Sequence, residues 1–302
     1  MVPRTVEKEI IKQRELGKNC VRDDNEAADM IVELLKDTFI NVDGKYYYKE
    51  ANCWINNKQR VDSLVLLYVT EKEIFKLNSK FEPEPYSQNV HGASNIIKLV
   101  YAKIRVRLSN IEYNLFHSTT KKKLCFLDGV LNFETKKFTL WVDLEETVYT
   151  TVVIKRNFKS YFDNPDRHFI DKIKNDIFSN LYGSKTDLAL KFFSRAIAGC
   201  NEDKIFMSYS GNRNCGKGVQ YSLMENAFGD YVKSFNLENM LCDRQSKKSS
   251  DLARENSWIM DLEFARAAVS QETEDNENDD IKKELKVSNK VMKSLLSGGD
   301  SL

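Results

Sequence analysis

An apolar run, Ile205-Phe206-Met207-Ser208-Tyr209, leads directly into Ser210-Gly211-Asn212-Arg213-Asn214-Cys215-Gly216-Lys217-Gly218. That order constrains the fold more than any other stretch of the chain. A buried strand that ends in a glycine-bounded loop and reopens as a helix aims several backbone N–H groups and a helix N-terminus at one point. A lysine placed there completes a cradle for a triphosphate. The spacing predicts that Gly211, Asn212, Arg213, Asn214, Cys215, Gly216, Lys217 and Gly218 wrap ATP or a related triphosphate, with Lys217 on the β/γ oxygens. Cradles of this kind carry Ser or Thr after the lysine, to put a hydroxyl on Mg²⁺, and here the residue is Gly218. Mg²⁺ would then be held by the phosphates, by water and by an acidic side chain from elsewhere, since the ion keeps several water ligands readily. Binding should survive the change better than hydrolysis does. A chance glycine-rich turn is the alternative; the apolar run before it and the helical pattern after it argue for the cradle.

A triphosphate site needs an acid at the end of a neighbouring strand, to hold the metal through water and polarise the attacking water. Two apolar runs offer one: Trp258-Ile259-Met260 ends in Asp261-Leu262-Glu263, and Ala267-Ala268-Val269-Ser270-Gln271 ends in Glu272. Each is also what an ordinary strand or helix with a surface acid looks like, and periodicity does not separate them.

At 302 residues the chain has room for two domains with a core each. Its 46 basic and 45 acidic side chains nearly cancel to +1, so contact with nucleic acid would rest on local patches and not on bulk charge. The start is charged and has no signal-peptide core. No stretch reaches the ~18–20 apolar residues of a membrane span. The six cysteines are scattered without a CxxC pair, which predicts reduced thiols in an intracellular protein. None of the three histidines sits beside a nucleophile or at metal-ligand spacing, which argues against metal-centred hydrolysis and against Ser-His or Cys-His chemistry.

Along the chain, residues 24–36 place Ala27, Met30, Ile31, Leu34 and Leu35 on one helical face. Phe39–Val42, an Asp43-Gly44 turn and Lys45–Lys49 predict a hairpin, with Trp54 and Ile55 as a further strand. Residues 61–77 and 93–107 are helical in spacing, Pro83 and Pro85 mark a loop, and 124–127, 130–133 and 138–141 form a second β-rich patch. This predicts an α+β region up to Pro165, then helices over 166–182 and 186–198, the strand and loop, and a helix over 217–227. Glu272–Asp280 holds six carboxylates in nine positions and reads as a solvated insertion. The basic clusters at Lys121–Lys123, Lys155-Arg156 and residues 243–248 read first as solvated loops. Tyr46-Tyr47-Tyr48 could stack bases, although a hairpin strand with one buried face is the commoner use of such residues.

Several pieces together resemble the superfamily 3 helicases, specifically the poxvirus-type primase–helicases of large DNA viruses and their phage relatives. Gly229-Asp230-Tyr231 is similar to the "GDY" after that family's loop. Arg266 to Glu272 resembles its second motif, and residues 288–300, ending in Gly298-Gly299-Asp300, its segment near the DNA-contacting hairpin. Residues 45–54 and Phe126 to Phe133 resemble two landmarks of the domain that precedes the ATPase. The resemblance runs from about residue 39 to the end.

The resemblance implies an α+β domain over 1–165 and an AAA+-like α/β P-loop ATPase domain over 166–302. It implies ATP and Mg²⁺ as cofactors, Lys217 and Glu272 as catalytic residues, and Asp261 and Glu263 as the lesser alternative for the metal-linked acid. It brings in Lys293 as a DNA-contact candidate, DNA and replication proteins as partners, and a homo-oligomeric ring, a hexamer in the family, in which a neighbour's arginine completes the site. Host cytoplasm or a viral replication site is the expected location, with no membrane. The departures are Arg213, Cys215 and Gly218, which replace the family's second Gly, Asn and hydroxyl residue, and a longer stretch between Glu272 and Gly298. The family's sensor Asn and arginine finger would fall past Leu302, so the chain reads as the middle of a longer protein with its ATPase domain truncated at the C-terminus. Two further readings stand beside the helicase: a catalytically impaired nucleotide- or DNA-binding replication module of the same descent, and a small-molecule kinase with a P-loop.

Overall fold

Asp43 and Gly44 both take positive φ, +45° and +82°, the backbone that a two-residue hairpin turn with the right twist demands. They join β1 (Phe39–Val42) to β2 (Lys45–Glu50). In the computed structural model, which describes residues 4–71, 73–87, 90–107, 110–200, 202, 206–209, 215–236 and 257–270, the chain divides into two compact units, Met1–Ser118 and Thr119–Leu302.

The first unit opens with α1 (Arg4–Glu15) and α2 (Asp24–Leu35). After the hairpin come β3 (Cys53–Ile55), α3 (Lys58–Thr70), β4 (Phe75–Leu77), β5 (Pro83–Pro85), α4 (Val90–Arg107), β6 (Asn110–Ile111) and α5 (Tyr113–Ser118). The sheet order is β3-β2-β1-β6, antiparallel except for the parallel β1–β6 pair. The core gathers Ile31 and Val32 of α2, Val61, Val65 and Val69 of α3, and Ile96, Val100 and Ile104 of α4 around Phe39. Each such fully buried side chain contributes about 1.5–3 kcal/mol over its exposed state.

The helix predicted over 24–36 forms, but its buried stripe is Ala27, Ala28, Ile31, Val32 and Leu35, and Leu34 stays 44% exposed. The helix predicted over 61–77 stops at Thr70, because the chain turns there to pair Phe75–Leu77 with Pro83–Pro85. The prolines read as a loop thus sit in a short antiparallel edge, where a missing N–H costs least. Tyr46, Tyr47 and Tyr48 all pack: Tyr47 lies 4.8 Å from Phe116, Tyr46 5.4 Å from Tyr101 and Tyr48 5.7 Å from Phe39, by ring centroids. The triplet packs, but on both faces of β2 and not on the one buried face expected: Tyr47 is buried and Tyr46 and Tyr48 pack on the other side.

The second unit begins with a meander, β7 (Lys123–Cys125), β8 (Gly129–Asn132) and β9 (Lys137–Leu140). Helices follow: α6 (Lys159–Asp163), then α7 (Arg167–Ile173), which runs through a π-helical stretch, Lys174–Ser179, into α8 (Asn180–Tyr182), and α9 (Thr186–Ile197). Then come α10 (Lys217–Phe228), a 3₁₀ turn over Gly229–Tyr231, β10 (Val232–Phe235), α11 (Ser257–Met260) and β11 (Ala267–Ser270). β10 and β11 pair in parallel, Val232 opposite Ala267 through Phe235 opposite Ser270.

The division at Ser118/Thr119 moves the boundary expected at Pro165 upstream. The reason is a shared core. Leu124, Phe126 and Phe138 of the meander are buried with Ile197 of α9, Met224 of α10 and Val232 of β10. Phe126 also stacks on Phe158 at 4.4 Å. Asp128, in the β7–β8 turn, accepts the backbone N–H groups of Phe158 and Lys159 at 2.9 Å and so starts α6. The Phe126–Phe133 landmark is in this sense structural, and it belongs with the later helices.

Candidate phosphate site

Gly216 ends the loop with φ +95° and ψ 5°. That left-handed backbone suits glycine, and a Cβ there would come within 3.2 Å of Leu181 Cδ2. Lys217 follows as the first residue of α10, whose N-cap Gly216 has no side chain to cap it. The first-turn N–H groups of a helix have no intrahelical acceptor and carry its positive dipole end. α2, by contrast, is capped by Asp23 and carries Asp24 and Glu26 in its first turn. The first turn of α10 holds no acidic residue and begins with a lysine. Such a cation is misplaced for the helix alone, and becomes favourable when an anion sits on the helix end.

Gly218 differs from Gly216. A Cβ built on it meets nothing within 4 Å, and its φ is not in the left-handed region. Neither space nor conformation requires glycine there, so the site lacks a hydroxyl that its backbone could carry. Gly211, Asn212, Arg213 and Asn214 lie outside the described residues, as do Glu272 and Lys293. Of the strand expected over Ile205–Tyr209, Ile205 lies outside the described residues and Phe206–Tyr209 carries no strand pairing among them.

Tyr182 and Gln220, which the sequence did not single out, flank the loop. The Tyr182 hydroxyl donates to Gln220 Oε1, and Gln220, buried in the first turns of α10, donates to Met224 Sδ at 3.8 Å. Tyr182 and Tyr209 lie 5.8 Å apart by ring centroids, and Tyr209 is near-parallel to Phe193 at 6.2 Å. Burial pushes both phenol pKa values up, and in Tyr209 the hydrogen bond with Tyr182 adds to it, so both are neutral hydroxyls at neutral pH. No local pattern links Tyr182 to Gln220, 38 residues further along the chain.

The two candidate acids part company in secondary structure. Trp258-Ile259-Met260 is part of a helical turn, and Asp261 follows it, exposed, in a turn whose carbonyl accepts Lys233 Nζ at 2.6 Å. Ala267–Ser270 is a strand, parallel to the one that follows α10. Ligands of open parallel sheets bind beyond the carboxyl ends of the strands, and Glu272 comes two residues after Ser270 in sequence. Among the described residues no group of three or more His, Cys, Asp or Glu side chains could hold a metal ion.

Lys121, Lys122 and Lys123 are each matched by a carboxylate, Glu202 at 2.7 Å, Glu134 at 2.6 Å and Glu146 at 2.8 Å. That pairing removes most of the patch's pull on a phosphate backbone. Arg156 donates to the Ala227 carbonyl at 2.8 Å, a cation at the C-terminal end of α10. Residues 243–248 lie outside the described residues. No described helix is long and apolar enough to cross a membrane.

Comparison with known proteins finds similarity to a protein of Sputnik virophage named "Putative helicase V13", 27% identical over 179 residues, 59% of this chain. The match takes in 21% of that relative, so the chain corresponds to about a fifth of its length. No family model matches. The relationship is a distant one to a viral helicase-like protein.

Proposed function

We propose that the chain carries the nucleotide-binding part of an ATP-driven DNA helicase of the viral, superfamily 3 type, working in DNA replication. The observation that carries this reading is the entrance to α10: a left-handed Gly216, a lysine at the first helical position, and a first turn free of acid. The parallel β10–β11 pair and the helicase-named virophage relative support it. In this reading the N–H groups of the first turn and Lys217 take the β/γ phosphates of ATP as substrate. Glu272 orients the attacking water and holds Mg²⁺ through water, Lys293 contacts DNA, and the working protein is a ring in which a neighbouring subunit supplies an arginine.

The test is nucleotide affinity. Lys217→Ala removes a charge-assisted contact of about 1.5–3 kcal/mol, roughly a ten- to hundredfold loss in ATP affinity. Titration of a fluorescent ATP analogue reads this directly, and equal affinity in the variant overturns the site. One observation favours a second reading, a module that binds nucleotide without turning it over: Gly218 omits a hydroxyl for which there is room. Measured in a protein that also supplies the neighbouring arginine, ATP binding with no hydrolysis in the presence of single-stranded DNA selects that reading.

A further inference from the structure

α8 touches both sides of the phosphate loop. Leu181 lies against Gly216 on the exit side, at the start of α10. Its neighbour Tyr182 donates its hydroxyl to Gln220, one turn into α10, and its ring faces that of Tyr209, the last described residue on the entry side. Phe193 of α9 backs both rings, at 6.4 Å from Tyr182 and 6.2 Å from Tyr209. The Gln220 N–H returns to the Gly216 carbonyl at 3.2 Å, so the bridge ends on the turn that carries Lys217.

The route of the chain explains how two consecutive residues come to face one loop. The π-helical stretch Lys174–Ser179 has a wider turn than the α-helix before it, which re-aims the residues that follow. Gly183, at φ +52°, then ends the helix directly after Tyr182. Gln220 is 6% exposed and Tyr209 38%, so the bridge has a buried end on α10 and a partly open end on the entry side.

From this arrangement we infer that Tyr182 is a positioning residue for the phosphate loop: its ring packs on Tyr209 at the entry flank while its hydroxyl holds Gln220 in the first turns of α10, which keeps the ends of the loop at a fixed separation before nucleotide arrives. The role rests on the nucleotide-binding function proposed above. Fixing both flanks in advance lowers the ordering cost that binding would otherwise carry. Tyr182 acts through Gln220 and Tyr209.

Tyr182→Phe tests this, since it keeps the ring and its packing and removes only the hydroxyl. Two readouts are taken on the 302-residue chain, amide hydrogen exchange without nucleotide and affinity for a fluorescent ATP analogue. The expected result is faster exchange confined to residues 206–209 and 215–220, with the meander β7–β9 unchanged, and an affinity loss of about three- to tenfold. Tyr209→Ala, which removes the ring that Tyr182 packs on, should loosen the same residues at least as much. Unchanged exchange at those residues overturns the bridge. Faster exchange across the whole second unit overturns it too, by showing a general structural role. Local loosening with unchanged ATP affinity overturns the positioning role. If the wild-type chain binds no ATP while Tyr182→Phe still loosens 206–209 and 215–220 alone, the function proposed above and the positioning role fall with it, and only the bridge stands.

Discussion

The guanidinium of Arg266 lies over the ring of Tyr231, 5.6 Å from its centroid, and the Arg266 N–H donates to the Tyr231 carbonyl at 2.7 Å. Two segments that the sequence offered as separate family landmarks are thus one physical unit. Tyr231 is buried, its hydroxyl donating to the Val152 carbonyl at 3.0 Å and accepting from the Cys125 N–H at 3.3 Å. Arg266 Nη2 reaches on to the Thr120 carbonyl at 2.6 Å. Burial pulls the guanidinium pKa down, yet Arg266 remains a cation at neutral pH, balanced by a carbonyl and a ring face. It bolts the start of β11 to the meander.

Removing that bolt should be costly. Arg266→Ala loses a desolvated cation–π contact and a charged hydrogen bond, together about 2–4 kcal/mol. Gly199 predicts the same from the other side: its φ is +75°, and a Cβ there would stand 1.8 Å from Arg266 Nη1. Gly199→Ala therefore combines backbone strain with displacement of a partly buried guanidinium. Thermal unfolding should show both variants destabilised, whereas Tyr231→Phe, which keeps the ring, should cost less. Wild-type stability in Arg266→Ala would show that the contact adds nothing.

What the sequence disclosed follows from how local the cause is. The β1–β2 hairpin was legible because two adjacent residues must take positive φ, and α10 because the loop ends on Gly216. The meander was legible by its strands but not by its allegiance, since the burial of Phe126 and Phe138 beside Met224 and Val232 depends on partners far along the chain. The same distance hid Tyr182, whose partner Gln220 lies 38 residues away. Trp258-Ile259-Met260 is too short for periodicity to separate strand from helix, and it is a helical turn. Neither the pairing of Lys121–Lys123 with three carboxylates nor the burial of Arg266 has a local signature.

A pH dependence follows from Glu26 in the first unit. Its carboxylate accepts from Arg14 Nη2 at 2.5 Å, from the Arg22 N–H at 2.8 Å and from Arg22 Nε at 3.0 Å. Partial burial pushes its pKa up, but the hydrogen bonds from Arg14 and Arg22 outweigh that and hold it below the ordinary 4.5. A carboxylate with a lower pKa folded than unfolded contributes stability above the unfolded value and loses it as pH falls through the folded one. Glu26→Gln should cost about 1–2 kcal/mol at neutral pH, the lower figure reflecting solvent screening. It should also flatten the fall in stability below pH 4.5. Parallel acid-denaturation curves for wild type and variant would show that Glu26 is not among the groups responsible.

Gly218→Ser offers a gain-of-function test. A side chain at 218 has open space, and serine is a better helix residue than glycine by about 0.3–0.5 kcal/mol, so the variant should fold at least as well as wild type. If the missing hydroxyl is what weakens the hold on Mg²⁺, ATP affinity should depend on the metal more in the variant. Titration with and without EDTA should show a difference about three- to tenfold larger in Gly218→Ser. Equal metal dependence in the two proteins counts against a metal role at this position.

The last prediction separates the candidate acids. Asp261 follows a single helical turn, its side chain is exposed, and its carbonyl is already engaged by Lys233. Glu272 comes two residues beyond a strand that runs parallel to β10. Ligands of parallel sheets gather at that end of the strands, so the proposed nucleotide site favours an acid at that point of the sequence. A group that orients or deprotonates water acts on the transition state and leaves ground-state binding largely alone. In a protein that also supplies the neighbouring arginine, Glu272→Gln should therefore lower the ATPase rate by about 10²–10⁴ with little change in ATP affinity, while Asp261→Asn changes the rate by less than about threefold. Steady-state hydrolysis with and without single-stranded DNA, measured beside nucleotide titration, decides between them. A rate that survives Glu272→Gln and collapses in Asp261→Asn would move the metal-linked acid to the turn after α11.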